Sequence, residues 1–352
     1  MDVRGLLQKS EWNEIDYINF ILEACVSSCR FGLIKEIEGD TFHLTRGNIH
    51  CLLSLPFGSG KTSSLVKIEN GEIATDLSFP GIVGTINREG QFIEGAVVRS
   101  AGKVLIIDEA ERLSRDVKLA LMSILEYPNV YKRVLGFRLT SNFKKKTKFC
   151  SVIAKQNTNE FYIRSRFSCI ASGMFINRSG LVDSAWFSRF IVVRFKPTLD
   201  YYYDISAGKK SIKVNPKIKE MDFIFEDYLK FHNYFWDKLR KSVHNNYFER
   251  NPDIRGLTVR VLQDLVRLSA FVESLDDRST ISFDTAKFIA DRFMDYMIYN
   301  FTTHNLDEID HFILNNLGTM SITQIAEYLG KDKSLIEFRI SKLTAKGLIK
   351  SV

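Results

Sequence analysis

The chain is short of the features that mark membrane, secreted and metal-centred proteins. No apolar run approaches the ~18–20 residues that a bilayer-spanning helix needs, and Met1-Asp2-Val3-Arg4 begins no signal peptide. A soluble, intracellular chain without a membrane partner is expected. The five cysteines, Cys25, Cys29, Cys51, Cys150 and Cys169, include no CxxC pair. The six histidines are scattered and form no HExxH pattern. Structural zinc is therefore not expected, and the thiols read as small buried hydrophobes. Six prolines and the lack of a Gly/Ser-rich tract leave no obvious flexible linker. What is present is ordinary for a folded protein. At 45% hydrophobic and 26% charged, the chain is too apolar for wholesale disorder. Its 352 residues suffice for two to three domains at ~150 residues each. The net charge of +7 is modest, so where it is carried matters more than its size.

Two stretches carry chemistry. In the first, the apolar run Ile49-His50-Cys51-Leu52-Leu53-Ser54 leads into Leu55-Pro56-Phe57-Gly58-Ser59-Gly60-Lys61-Thr62 and then a helix-compatible segment. A strand, a tight glycine-containing loop and a helix N-terminus together make a phosphate cradle, with backbone N–H groups around the β-phosphate. Lys61 is placed to reach the β- and γ-phosphates, and the Thr62 hydroxyl to ligate Mg²⁺. The pattern asks for glycine where Leu55 stands, and the bland alternative is a surface turn. The second stretch is Val104-Leu105-Ile106-Ile107 followed by Asp108-Glu109. Four consecutive apolar residues fit a parallel strand buried on both faces, with the carboxylates at its C-terminal end, where α/β sheets bind ligands. Asp108 is then expected to hold the water shell of the Mg²⁺, and Glu109 to polarise the attacking water. The two stretches together point to nucleoside triphosphate hydrolysis.

Arg46-Gly47-Asn48-Ile49-His50-Cys51-Leu52-Leu53 resembles the approach to the phosphate loop in minichromosome maintenance (MCM) helicases of the AAA+ family. The similarity continues in order from about residue 45 to about 300. The resemblance implies an α/β AAA+ P-loop NTPase core with a parallel sheet, a helical lid and a C-terminal winged helix. Gly81–Val98, with a turn at Asn87-Arg88-Glu89-Gly90, is similar to the helix-2 insertion of MCM-like and MoxR-type proteins and reads as a β-hairpin. Residues 127–158 carry eight basic residues and no acidic one. Without them the chain's net charge falls from +7 to −1. Their place resembles the pre-sensor-1 hairpin, which implies DNA contact by Lys132, Arg133, Lys144, Lys145 and Lys146, the tip residue being left open; a solvated charge run is the cheap alternative.

Ser151–Asn157 looks like the sensor-1 strand, with Asn157 orienting water and Asn159 as a nearby competitor. Ser188-Arg189-Phe190 resembles the segment that supplies an arginine finger, so Arg189 is implied to act on the γ-phosphate held by a neighbouring subunit. Thr258–Ala270 is apolar at helical spacing and similar to the sensor-2 helix, which puts Arg260 on the nucleotide in trans, while Arg267 reads as structural. Nucleotide contacts are thus expected from Gly58, Ser59, Gly60, Lys61, Thr62, Asp108 and Arg260, with Mg²⁺ at Thr62 and Asp108.

The expected division is a helical segment over 1–44 (a helix near Glu11–Arg30), the ATPase core over 45–200, a lid over 201–303 and a winged helix over 304–352. In the last, helix-turn-helix spacing is followed by a strand starting at Gly347-Leu348-Ile349. Only about 45 residues precede the core, so the resemblance is to the motor half, as in compact MCM-like ATPases of mobile elements. The implied function is an ATP-driven ring, hexameric by resemblance, that translocates on or unwinds DNA in the cytoplasm or nucleoid. Single-stranded DNA would run in its pore and duplex could meet the winged helix. A DNA-binding initiator or loader that uses ATP as a switch is the alternative, and a MoxR-type chaperone ATPase is a weaker third.

Overall fold

Val104–Ile107 can bury four successive side chains only if both faces of its sheet are covered, and all four are at most 1% exposed. The computed structural model describes residues 3–54, 65–66, 68, 70–87, 89, 91–135, 138–139, 141–173, 184–194, 217–241, 256–303, 306 and 308–349. In chain order its first strands are β1 (Leu33–Glu38), β2 (Thr41–Arg46), β3 (His50–Ser54), β4 (Gly71–Ile73), β5 (Gly84–Ile86), β6 (Phe92–Glu94) and β7 (Val104–Ile107). They continue as β8 (Tyr131–Val134), β9 (Phe143–Lys146), β10 (Cys150–Ala154), β11 (Glu160–Ser165), β12 (Ser168–Gly173), β13 (Ile191–Arg194) and β14 (Phe223–Phe225). The helices are α1 (Val3–Leu7), α2 (Glu14–Ser27), α3 (Phe79–Ile82), α4 (Ala96–Arg99), α5 (Arg115–Ile124) and α6 (Ser184–Phe187). After them come α7 (Tyr228–Lys241), α8 (Gly256–Leu275), α9 (Phe283–Thr303), α10 (Glu308–Asn316), α11 (Ile322–Leu329) and α12 (Lys333–Ala345).

Five strands form an all-parallel sheet in the order β13-β3-β12-β7-β4. The fold is α/β and compatible with a P-loop-like core. Residue alternation assigns the two faces. Cys51, Leu53, Ile106, Ile170, Ile191 and Val193 turn towards α2, α8 and α9. Leu52, Leu105, Ile107, Cys169, Ala171 and Val192 turn the other way, towards α5, Trp186 and the inner side of a second sheet. All five cysteines are buried, and burial pushes the Cys25 and Cys51 thiols up, away from reactivity.

The helix boundaries have local causes. Asn13 and Asp16 form a capping box that starts α2, and the Ser114 hydroxyl accepts from Val117 N at the start of α5. The Ser282 hydroxyl accepts from Thr285 N at the head of α9, so the cap is Ser282, with Asp284 inside the first turn. Residues 1–44 are more than a helical segment. Leu33–Glu38 alternates in burial, forms β1, and pairs in parallel with β14 and antiparallel with β2. The expected hairpin around Asn87 is seen as β5 and β6. Among the described residues no helix is long and apolar enough to cross a membrane.

The C-terminal helices α10–α12 enclose a separate core of Leu306, Ile313, Ile325, Ile336 and Leu343. Ser321 and Gln324 make a capping box for α11, which ends at Gly330 with φ +59°. The strand expected at Gly347–Ile349 is not formed. Gly347 has φ +76°; its N–H donates to Thr344 O at 2.9 Å, and Leu348 N donates to Leu343 O at 3.0 Å. This pair of bonds is a Schellman stop, so the glycine terminates a helix instead of opening a wing.

Leu105 is central to the face packed on α5. Leu105→Ala is expected to cost about 2–5 kcal/mol of unfolding free energy, measured by urea denaturation; a cost below about 1 kcal/mol would mean that this strand is not the buried centre of the sheet.

Candidate functional site

The C-terminal edge of the parallel sheet gathers the first group of residues. β3 delivers the chain to this edge at Ser54. Leu55 and the expected phosphate-contacting residues Gly58, Ser59, Gly60, Lys61 and Thr62 follow, and they lie outside the described residues. β12 stands between β3 and β7, with Gly173 opposite Ser54 and Ala171 opposite Ile107. Asp108 therefore emerges beside Ser172, whose hydroxyl donates to Asp108 Oδ1 at 2.5 Å. Glu109 N donates to the same oxygen at 3.0 Å. Asp108 is two strand spacings, roughly 10 Å, from the chain that leads into Gly58–Thr62. Carboxylate and hydroxyl oxygens are hard donors suited to Mg²⁺, so Asp108 and Thr62 fit that ion chemically.

Glu109 has φ +55°, a left-handed conformation in a residue with a side chain. Such backbone costs on the order of 1–3 kcal/mol and clusters at functional sites. The turn sends the chain into a short helical turn, Ala110–Arg112, and the half-exposed Glu109 carboxylate pairs with Arg112 at 2.8 Å.

Asn157 does not share this edge as a strand end. Ser151–Ala154 belongs to β10, which is antiparallel to both β9 and β11 in a four-stranded sheet ordered β8-β11-β10-β9. Asn157 is exposed in the β10–β11 turn at φ +63°, a backbone that asparagine tolerates well. Its N–H donates to Leu139 O, and Asn159 lies in the same turn. The strand inserted between β3 and β7 is β12, and residues 174–183, which follow it, lie outside the described residues. The physical reason is burial. β10 alternates between buried and accessible positions, as a one-sided sheet demands, whereas every residue of β12 is buried.

A second group assembles at the end of α5. Arg260 Nη1 lies 2.7 Å, and Arg189 Nε 3.2 Å, from the same oxygen of Glu126, Oε1. Arg189 Nη1 also donates to Ala185 O and Ser188 Oγ, which folds its side chain back along α6. Behind them Arg46 donates to Leu125 O and, at 2.9 Å, to Arg189 O. Arg267 pairs with Asp264 and donates to Arg46 O at 3.1 Å, in keeping with a structural role. Burial alone would push the Glu126 carboxyl up, but Arg46, Arg260, Arg267 and Arg189 outweigh it and hold it below the usual carboxylate range. Arg46 is itself lowered to about 9, by burial first and then by Arg267. The two arginines expected to act across subunits thus share one carboxylate.

In place of a single hairpin, the basic stretch supplies β8, β9 and β10, which join β11 in one sheet, and the pleat sorts its cations. Lys132, Tyr162, Ile153 and Lys144 are in one row across the four strands, and Arg164, Ser151 and Lys146 in the next. Both rows face away from the core. Lys132 pairs with Glu160 at 2.5 Å; Lys144, Lys146 and Arg164 are exposed, with no ion pair among the described residues. Arg133 and Lys145 are on the opposite side. Arg133 stacks over Phe79 at 3.8 Å and donates to Gly84 O, and Lys145 pairs with Glu94 on β6. The sequence pattern missed Arg164, Ser172 and Glu126. Arg164 is visible only through strand pairing, and the other two only through their partners.

No protein-family model matches the chain, and no curated protein matches it.

The sorting of cations has a stability signature. Arg133→Ala is expected to destabilise the protein by about 1–3 kcal/mol, whereas Lys144→Ala and Lys146→Ala are expected to stay within about 0.5 kcal/mol of the parent. Chemical denaturation of the three variants checks this, and equal effects would contradict the two-sided arrangement.

Proposed function

We propose that the chain is an ATP-hydrolysing AAA+ motor, similar to MCM helicases, that works as a homo-oligomeric ring, of six copies by resemblance, and moves on or unwinds DNA. The observation that carries the reading is the sheet edge, where Asp108 stands two strands from the chain that runs into Gly-Ser-Gly-Lys-Thr. In this reading Lys61 and the loop N–H groups hold the phosphates, and Thr62 and Asp108 hold Mg²⁺, which shields phosphate charge when bound. Ser172 keeps the Asp108 carboxylate oriented by hydrogen bonding to one of its oxygens. Glu109 takes up the proton of the attacking water once its contact with Arg112 opens. Arg189 and Arg260 stabilise charge on the phosphate of a nucleotide bound to a neighbouring copy.

The outward rows of the basic sheet support a DNA-facing role. Four cations, Lys132, Lys144, Lys146 and Arg164, surround Tyr162 and Ile153, and Glu160 is the acid among them. Cations that follow a phosphate backbone around an aromatic platform suit single strands without sequence preference. Arg133 and Lys145 serve instead to fasten this sheet to the β5–β6 hairpin.

The test is an ATPase assay with and without single-stranded DNA across a salt series. Mg²⁺-dependent hydrolysis, stimulated by the DNA and lost in Lys61→Ala and Asp108→Asn, is expected. The combined Lys144→Ala and Lys146→Ala variant should flatten the salt dependence of DNA binding by about 0.7 in log–log slope per lost contact. Wild-type turnover in Lys61→Ala would remove the phosphate-loop assignment, and DNA-independent ATPase with no DNA binding would remove the motor reading.

A further inference from the structure

Two guanidinium groups repel each other unless something of opposite charge lies between them. Arg189 and Arg260 come from places far apart in the chain, the turn after α6 and the first turns of α8, yet they meet at one carboxylate oxygen. That oxygen is well anchored. Glu126 directly follows Leu125, whose carbonyl accepts from Arg46 and, at 3.1 Å, from His50 on β3. Because Cys169 N donates to His50 Nδ1, the ring proton is on Nε2 and points at Leu125 O. Arg46 also grips the backbone of Arg189 itself. The three side chains of the cluster's outer edge, Glu126, Arg189 and Arg260, are 18%, 19% and 28% exposed, so an anion arriving from outside can touch both arginines. The arrangement has a fixed carboxylate at the back and two cations at an accessible rim. It suits a tetrahedral oxyanion, which offers several acceptor oxygens to paired guanidinium groups.

We propose that Glu126 is a positioning residue that yokes Arg189 and Arg260 into one two-arginine clamp for the terminal phosphate of a nucleotide held by a second copy of this chain. The inference rests on the ring-motor reading and adds to it a residue that acts only through the two arginines. Glu126 does not touch the nucleotide. It sets the separation and direction of the guanidiniums, so that both bear on one phosphate as its charge develops. Removing it lets the arginines part and leaves their binding partner in the neighbouring copy intact.

The experiment compares steady-state ATP hydrolysis by the full chain and by Glu126→Ala, Glu126→Gln, Arg189→Ala and the Glu126→Ala/Arg189→Ala pair. Binding of a fluorescent ATP analogue is measured in each as a check on folding and on the nucleotide pocket. Glu126→Ala is expected to lower kcat at least tenfold while KM and analogue binding stay within twofold, because the pocket belongs to another copy. Glu126→Gln, which keeps an acceptor but no charge, should fall between it and the wild type. In the paired variant the two losses should not multiply, and kcat should remain within threefold of the slower single variant. Multiplied losses, or a Glu126→Ala variant with wild-type kcat beside an inactive Arg189→Ala, would overturn the yoke and leave the motor reading intact. If Glu126→Ala fails to bind the analogue, Glu126→Gln decides: wild-type kcat in it overturns the proposal, and a lowered kcat with unchanged KM sustains it. Wild-type turnover in Arg189→Ala would sink the underlying reading and the yoke together.

Discussion

Arg46 is almost wholly buried, and its guanidinium donates to two backbone carbonyls from different parts of the chain, those of Leu125 and Arg189. A buried charge is tolerated only when it is hydrogen-bonded and faced by opposite charge. Here the carbonyls accept from its two Nη groups, Nε has no hydrogen-bond partner among the described residues, and Glu126 and Asp264 supply the negative charge. The arginine stays cationic at neutral pH even though burial lowers its pKa to about 9. By holding both carbonyls, it fixes the end of α5 and the turn at Arg189 against the sheet that begins with β3. His50 reinforces the same carbonyl as a neutral ring, since burial and the adjacent Arg46 keep its pKa well below the ordinary histidine value. Everything proposed for Arg189, Arg260 and Glu126 depends on this joint.

The sheet was legible where burial leaves a simple mark. Val104–Ile107 declares itself as a doubly covered strand by four apolar residues in a row, and Asp108-Glu109 marks its C-terminal end. β12 was not legible in the same way. Ser168-Cys169-Ile170-Ala171-Ser172-Gly173 is built mostly from small residues, although it lies between two strands and is covered on both faces. Its serines hide a strand that is buried throughout. Ser151–Ala154, more apolar to the eye, alternates in burial and belongs to a sheet with one open face. The distinction between continuous burial and alternation separates the two once partners are known, and the asparagine at 157 owes its place to a left-handed turn.

The charged parts follow a similar rule. Composition alone identifies 127–158 as cationic, but the pleat decides which cations are offered to solvent and which are used up. Lys144 and Lys146 face out while Lys145 between them is paired with Glu94. The Arg-Gly-Asn-Ile-His segment, conspicuous in the sequence as an approach to the expected phosphate loop, turns out to be a hub of internal bonds: Arg46 to two carbonyls, Asn48 to Phe167 O, Ile49 N to Ser28 and His50 to Leu125 O. Glu126 carries no such signal. It is one acid at the end of a helix, and only the arrival of two distant arginines gives it meaning.

The claim at the centre is that one copy holds the nucleotide and the next copy supplies the arginines. Mixing two inactive variants tests it directly. On this account Lys61→Ala is expected to lose nucleotide but still present Arg189, and Arg189→Ala to hold nucleotide but lack the guanidinium. Each is expected to be inactive alone, and an equimolar mixture, at a concentration where the chain assembles, is expected to regain hydrolysis because some interfaces pair an intact pocket with an intact arginine. A mixture as inactive as its components would contradict a site completed between copies.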